Sequence, residues 1–379
     1  MDKGFEAIRY YNNDEIGSAA RRLSRNPFLV SIFRKAMFPR CPSVFNPLGD
    51  ALVRIYLGHK VRRIRTVDQF LQEITFKMVA SWIVRNTIAD FSFSGIEHLD
   101  RRSNYLFISN HRDITLDPLL LNYALMQYGH RIPAVAFGDN LLVNELMSDL
   151  LRANKSFVVR RKLPRKERLL AAGHLSDYIW SLWEKGESVW ISQREGRAKD
   201  GDDRTEPAVI KMLYLSQRRE GLSLSQYLSR VRVVPVSVSY EIDPCDVSKA
   251  RELSKQSAPM DHKRKQEMDF LSIQQGATGY KGRVHIAVGK QLQGEHLTVQ
   301  EASSKIDHEI QGMYKLWPSN YVAHDELMDS REYASHYSSE ERGQFLKRFL
   351  EEPQDIRRRV LGMYAQPLIN QRAVLSKKA

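Results

Sequence analysis

The sequence predicts an α/β protein: a mixed, largely parallel sheet flanked by helices, with an N-terminal helical bundle and a C-terminal helical tail. Two observations point to it. From about residue 93, short apolar runs rich in β-branched residues alternate with helical stretches, as in parallel strands joined by crossover helices. On either side of that region the apolar residues recur at helical spacing instead. The expected segments are a helical domain at 1–92, an α/β domain at 93–325 and a C-terminal helical extension at 326–379.

The first segment divides into four helices. NNDEIGSAARRL offers Asn13 or Asp14 as an N-cap and puts Ile16, Ala20 and Leu23 on one stripe. RNPFLVSIFRKAMFP starts at Asn26, with Pro27 at the first helical position, and stops before Pro39. FNPLGDALVRIYLG repeats the Asn-Pro start and ends at Gly58. TVDQFLQEITFKMVASWIV opens with the Thr66–Gln69 spacing of a capping box, and Val67, Phe70, Leu71, Ile74, Met78 and Trp82 follow a helical period.

Strands are expected in YLFISN (105–110), RIPAVAFG (131–138), SFVVRR (156–161), SVWISQ (188–193), RVVPVSVSY (232–240) and GRVHIAVG (282–289). The proline in RVVPVSVSY implies an edge strand or a bulge. Residues 245–280, rich in lysine, arginine and glutamine, read as a surface excursion with one or two helices. The last segment is charged and helical (SEERGQFLKRFLEE, PQDIRRRVLGMYAQPL) and ends in a basic SKKA.

Composition narrows the function. A chain of 379 residues, 42% hydrophobic and 27% charged, can bury a sizeable core. Its net charge of +13 calls for a polyanionic neighbour: nucleic acid, an anionic membrane face, phosphorylated substrates or acidic carriers. Cys41 and Cys245 are far apart without CxxC spacing, so neither a disulfide framework nor a cysteine-rich metal site is expected. MDKGFEAIRYYNNDE lacks the layout of a signal peptide. No window reaches the ~18 apolar residues of a membrane span; the nearest, 76–91, is broken by Lys77, Arg85 and Asp90. A membrane, if involved, would be touched at its surface.

Three stretches carry candidate chemistry. SNHRDITLDPLLL (109–121) follows a strand and precedes a helix, where α/β enzymes place reactive groups. His111 there has two aspartates close by, Asp113 and Asp117. Alternatively, Asp117 is an N-cap with Pro118 opening the helix, and His111 is a buried structural histidine. FVVRRKLPRKER ends a strand with Arg160 and Arg161, and holds six cations and one anion within residues 160–168. Such a run suits phosphate oxygens, or is simply a solvated face. Glu195, Gly196, Arg197 and Lys199 follow another strand in a loop that could hold an anion, or form a charged turn.

In this order the stretches resemble the glycerolipid acyltransferase superfamily, the glycerol-phosphate and lysophosphatidate acyltransferases. NHRDITLD resembles the family's Asn-His-x-x-x-x-Asp block, FVVRR its arginine-ended strand, EGRAKDG its EGGRSRTG-type loop and VVPVSVSYE its V-P-V-x-I-x-Y-E strand. The resemblance spans roughly 93–295 and departs from the family twice. Asp117 lies six residues after His111 rather than five, and the third block is one residue short.

What the resemblance implies is an O-acyltransferase. It would move an acyl group from coenzyme A or acyl carrier protein to a hydroxyl of glycerol 3-phosphate or 1-acylglycerol 3-phosphate. Neutral imidazole would act as base and an aspartate would fix its tautomer, with no metal or cofactor beyond the acyl thioester. The family context favours Asp117 over Asp113 as the partner of His111. Asn110, Arg160, Arg161, Glu195, Gly196, Arg197 and Lys199 map to substrate-binding positions. The expected partners are the acyl donor, a glycerolipid acceptor and an anionic membrane surface on the cytoplasmic side, with no nucleic acid. Other readings are O-acylation of a lyso-amino-acid lipid of ornithine or glycine type, and a non-catalytic basic membrane- or nucleic-acid-binding relative. A serine hydrolase and a nucleotide-binding enzyme are disfavoured, since G-x-S-x-G, the P-loop and G-x-G-x-x-G motifs are absent.

Overall fold

The computed structural model describes residues 4–40, 42–161, 163–254 and 262–376. Cys41, Lys162, the middle of the 245–280 stretch and the final KKA lie outside the described residues. In chain order the helices are α1 (Asn13–Arg25), α2 (Pro27–Met37), α3 (Asn46–Val61), α4 (Val67–Phe70), α5 (Ser81–Thr87), α6 (Leu116–Gln127), α7 (Glu145–Ala153), α8 (Arg165–Glu184), α9 (Pro207–Arg219), α10 (Leu224–Arg230), α11 (Asp246–Ser254), α12 (His262–Thr278), α13 (Val299–Gly312), α14 (Pro318–Met328), α15 (Ser339–Lys347) and α16 (Gln354–Leu375). The strands are β1 (Asp90–Ser94), β2 (Leu106–Ser109), β3 (Ala134–Gly138), β4 (Ser156–Val159), β5 (Val189–Ser192), β6 (Val233–Tyr240) and β7 (Arg283–Val288).

Two compact units are present: Met1–Trp82 with Ala134–Leu163, and Ile83–Pro133 with Pro164–Ala379. The first is not continuous in sequence, because β3, α7 and β4 group with the N-terminal helices. Ile8 accepts the Val158 N–H (2.8 Å), Tyr11 donates its hydroxyl to Asp149 (2.6 Å), and Arg22 grips the same carboxylate. β3 and β4 pair in parallel within this unit.

The helix starts follow the sequence where a side chain is available to cap. Asn26 accepts from the Phe28 and Leu29 N–H groups, with Pro27 next in line. Thr66 and Gln69 form their capping box, and between α4 and α5 the backbone takes the wider π register over Leu71–Ala80. Two starts differ from expectation. The α1 cap is Asn12, since Glu15 reaches back to its N–H, while Asn13 accepts instead from Val67 N–H. In α3 Asn46 is already helical, because its side chain is taken by Arg34 (2.6 Å). The same helix runs past Gly58 to Val61, since Leu57 and Val61 are both buried.

In the second unit the strands lie in the order β1, β7, β6, β2, β5. All neighbours are parallel except β6 and β7. β2, β5 and nearly all of β6 are buried along their whole length, as expected for strands covered on both faces. β1 begins inside the segment read as helical: DFSFS alternates at a period of two and pairs with β7.

The proline reading also needs correction, because β6 is an interior strand. Its last pair with β7 is Val236 with Val288. Pro235 falls one residue beyond that pair, where its carbonyl accepts the Gly289 N–H (2.8 Å). An antiparallel residue turns its nitrogen and carbonyl to the same side, so the missing donor faces Gly289, just past the end of β7, and the pairing with β2 is untouched.

Asn110 joins β2 to β6 just past the end of β2. Its amide donates to Val238 O (3.0 Å) and accepts from Val238 N–H (2.8 Å), as a peptide group would. Asn110→Ala leaves both Val238 groups buried and unpaired, at a cost of about 1–3 kcal/mol each. A lower urea midpoint is expected; an unchanged one would contradict this role.

Candidate active site

β2 is buried throughout and apolar up to Ser109, and the chain turns polar where it leaves the sheet. His111 begins that turn, and α6 starts five residues later at Leu116. Asp117 is the second residue of α6, so it does not cap the helix. Its carboxylate points back over the turn, as side chains of a first helical turn do. His111 Nδ1 lies 2.8 Å from Asp117 Oδ2. The same oxygen accepts the Arg112 and Asp113 N–H groups at 2.6 and 2.9 Å, and Oδ1 accepts the Tyr240 hydroxyl at 2.9 Å. Asp117 is fully buried and His111 nearly so. With a carboxylate on Nδ1, the proton of a neutral imidazole belongs on Nδ1 and Nε2 carries the lone pair.

Asp113 has the capping role. Its Oδ1 accepts the Thr115 and Leu116 N–H groups, both at 2.9 Å. Burial, and then the charge of Asp117, raise its carboxyl above the ordinary aspartate range. Burial and Asp117 also hold the Tyr240 phenol far above its usual value, so it stays a donor.

Other groups fix the turn from outside. The His111 ring meets Trp190 of β5 edge to face (5.8 Å), and the Trp190 indole donates to Ser109 (3.0 Å). Arg112 pairs with buried Asp203 (2.6 Å), which also accepts the Tyr314 hydroxyl (2.6 Å) and an Asn110 N–H (3.3 Å). Asn110 is thus turned wholly inward, its amide spent on Val238 and Asp203.

The 194–201 loop lies against this turn, the Ala198 N–H donating to the His111 carbonyl (2.9 Å). Gly196 and Gly201 both take positive φ (+73° and +81°). Glu195 is exposed at the rim. Arg197 is buried: its Nη2 lies 3.4 Å from Ser272 Oγ and 3.7 Å from Glu252. Lys199 meets Glu252 at 2.5 Å. The 245–280 stretch is therefore more than a surface excursion, because α11 and α12 supply Glu252 and Ser272 to this loop, and Lys249 donates to the Arg112 carbonyl (2.5 Å). Cys245 is buried there with a free thiol, which burial pushes up to about 12.

Arg160 and Arg161 belong to the first unit, at the end of β4. Arg160 is exposed. Arg161 donates its N–H to Asp139 (3.2 Å), and its guanidinium lies close against Gly138. Among the described residues no group of three or more His, Cys, Asp or Glu is arranged to hold a metal ion.

Sequence reasoning missed Glu252, Asp203, Trp190 and the role of Tyr240. Tyr240 had a signal, standing eighth in the VVPVSVSYE strand, two residues beyond buried Val238 and four beyond buried Val236, and so on their face. Glu252 had none, since an ion pair across 53 residues leaves no local pattern.

Residues 90–239 match the family model described as Acyltransferase. No curated protein matches the sequence. Among solved structures, the chain is similar to the 1-acyl-sn-glycerophosphate (LPA) acyltransferase PlsC from Thermotoga maritima, at 13% identity and a TM-score of 0.40 over 76% of this chain and 94% of that one. That likeness is too loose to assign any residue here. The stretch from β1 through β6, with the His111 turn and the Arg197 loop inside it, is thus the part of the chain that matches the Acyltransferase family.

Proposed function

We propose that this acyltransferase moves a fatty acyl group from a thioester of coenzyme A or acyl carrier protein to a hydroxyl of a glycerolipid acceptor, with His111 as base and Asp117 as its partner. The observation that carries the reading is the 2.8 Å contact of His111 Nδ1 with an Asp117 carboxylate already held by two backbone N–H groups and Tyr240. Such support orients the ring and stabilises the imidazolium that forms. The acceptor hydroxyl gives its proton to His111 Nε2 as its oxygen attacks the thioester carbonyl carbon. Collapse of the tetrahedral adduct breaks the C–S bond, and the leaving thiolate takes the proton from His111. The balance is one ester and one thiol formed, with no metal or further cofactor needed.

Two acceptor classes fit this chemistry: glycerol 3-phosphate or its 1-acyl form, and a lyso-amino-acid lipid. The choice between them rests on what Arg197 and Lys199 hold. The reading places the protein peripherally on the cytoplasmic face of an anionic membrane. No described helix is long and apolar enough to cross a membrane. In support, Phe38, Val44, Phe45, Leu48, Leu52 and Ile55 are exposed around α2 and α3, with Lys35, Arg40 and Arg54 exposed beside them. The basic run at 160–168 offers a second contact for headgroups or an acidic carrier.

A radiolabelled acyl-thioester assay tests the reaction. His111→Ala is expected to abolish transfer. Asp117→Ala should lower kcat by roughly 10³–10⁴-fold, the scale for an orienting carboxylate. Asp113→Ala should keep most activity while losing about 1 kcal/mol of stability as a cap; the opposite ranking of the two aspartates would sink the assignment. Tyr240→Phe, which removes one hydrogen bond to a charged acceptor, should cost about tenfold in kcat, and full activity would remove Tyr240 from the site. Replacing Phe45 and Leu48 together by Glu should abolish co-sedimentation with anionic vesicles, and undiminished binding would exclude that face.

A further inference from the structure

Arg197 and Lys199 occupy the positions that, by resemblance, would hold an acceptor phosphate, yet this chain supplies its own anion there. Glu252 reaches them from α11, 2.5 Å from Lys199 Nζ and 3.7 Å from Arg197 Nη2. Its side chain is only 12% exposed and that of Arg197 only 5%, so little water screens the pairing. The wider surroundings add further negative charge. Asp243 pairs with buried Lys249, and Asp113 also feels the Arg197 charge. A phosphate monoester would bring nearly two negative charges against Glu252 and would compete for cations already paired.

The donor geometry agrees. A bidentate grip on phosphate uses two parallel N–H bonds, but the Nη2 edge is engaged with Ser272 and Glu252. Arg197 Nη1 is buried without a hydrogen-bond partner among the described residues. With the Nη2 edge engaged, Nη1 alone suits a single acceptor atom better than the paired oxygens of a phosphate face.

We propose that Glu252 is a specificity-determining residue: it stands in for the acceptor phosphate, so the acceptor is a lysolipid whose head group carries no phosphate and is neutral or bears a carboxylate. The proposal rests on the acyl-transfer reading above. It narrows the acceptor to the phosphate-free class, and it gives α11 and α12 a part in substrate choice.

The test uses the full-length enzyme with a labelled acyl thioester and three acceptors: 1-acylglycerol 3-phosphate, 1-monoacylglycerol and N-(3-hydroxyacyl)ornithine. Wild type should favour at least one phosphate-free acceptor by about tenfold or more in kcat/KM. Glu252→Gln should raise kcat/KM for the phosphate acceptor by a similar factor, mainly through KM, and Glu252→Asp, which keeps the charge, should retain the wild-type preference. As a measurement independent of any variant, millimolar glycerol 3-phosphate should not inhibit wild type. Preference for the phosphate acceptor by wild type, its competitive inhibition by glycerol 3-phosphate, or an unchanged preference in a folded Glu252→Gln would each overturn the proposal. Transfer to none of the three would overturn the acyl-transfer reading and the proposal with it.

Discussion

The second unit is organised around one buried carboxylate. Asp117 has no solvent to share its charge, so every lone pair must find a donor or the fold loses several kcal/mol. The donors come from three places: the ring of His111, the backbone of the turn that follows it, and the phenol at the end of β6. Satisfying the charge therefore also sets the turn, the ring and the strand relative to one another. A helix N-terminus beneath the carboxylate adds a favourable dipole. Within the same turn Asp113 closes over the Thr115 and Leu116 amides, so the turn and the start of α6 are held by two carboxylates.

A second layer of charge lies behind the first. Arg112 bridges the turn to Asp203, whose carboxylate also collects Tyr314 and Asn110. Burial alone would push the Asp203 carboxyl upward, and Arg112 and the tyrosine hydroxyl oppose that push. The arrangement alternates in sign outward from His111: imidazole, Asp117, the amide-rich turn with Arg112, then Asp203. Buried networks of this kind resist partial disruption, since removing one member strands its neighbour.

How much of this was legible in the sequence depended on range. Strands such as β2, β5 and β6 are marked by short apolar runs, valine-rich in β6, and the caps at Asn26 and Thr66 by spacing alone. β1 escaped because all five residues of DFSFS are polar or aromatic, none aliphatic, and a helix runs almost up to it. Pro235 misled because the rule about proline concerns a missing donor, and the strand's neighbour ends at that point. Asn46 misled for a similar reason, its cap oxygen being claimed by a partner twelve residues away. The His111 turn could be located from local pattern and family resemblance, whereas Glu252 and Asp203 could not. Their partners are brought close only by the folded sheet and the helices on it.

Gly201 ties the loop that bears Arg197 to the C-terminal helix. A side-chain carbon there would collide with the Met363 carbonyl of α16, and its positive φ already disfavours any other residue. The loop and the last long helix were thus fitted to one another at atomic contact, with Asn370 reaching Asp202 close by (3.3 Å). Neither can drift alone: a change in the path of α16 has to be matched in the loop that bears Arg197. The charged C-terminal stretch, which reads as an appendage, thereby limits the backbone path of the loop it presses on.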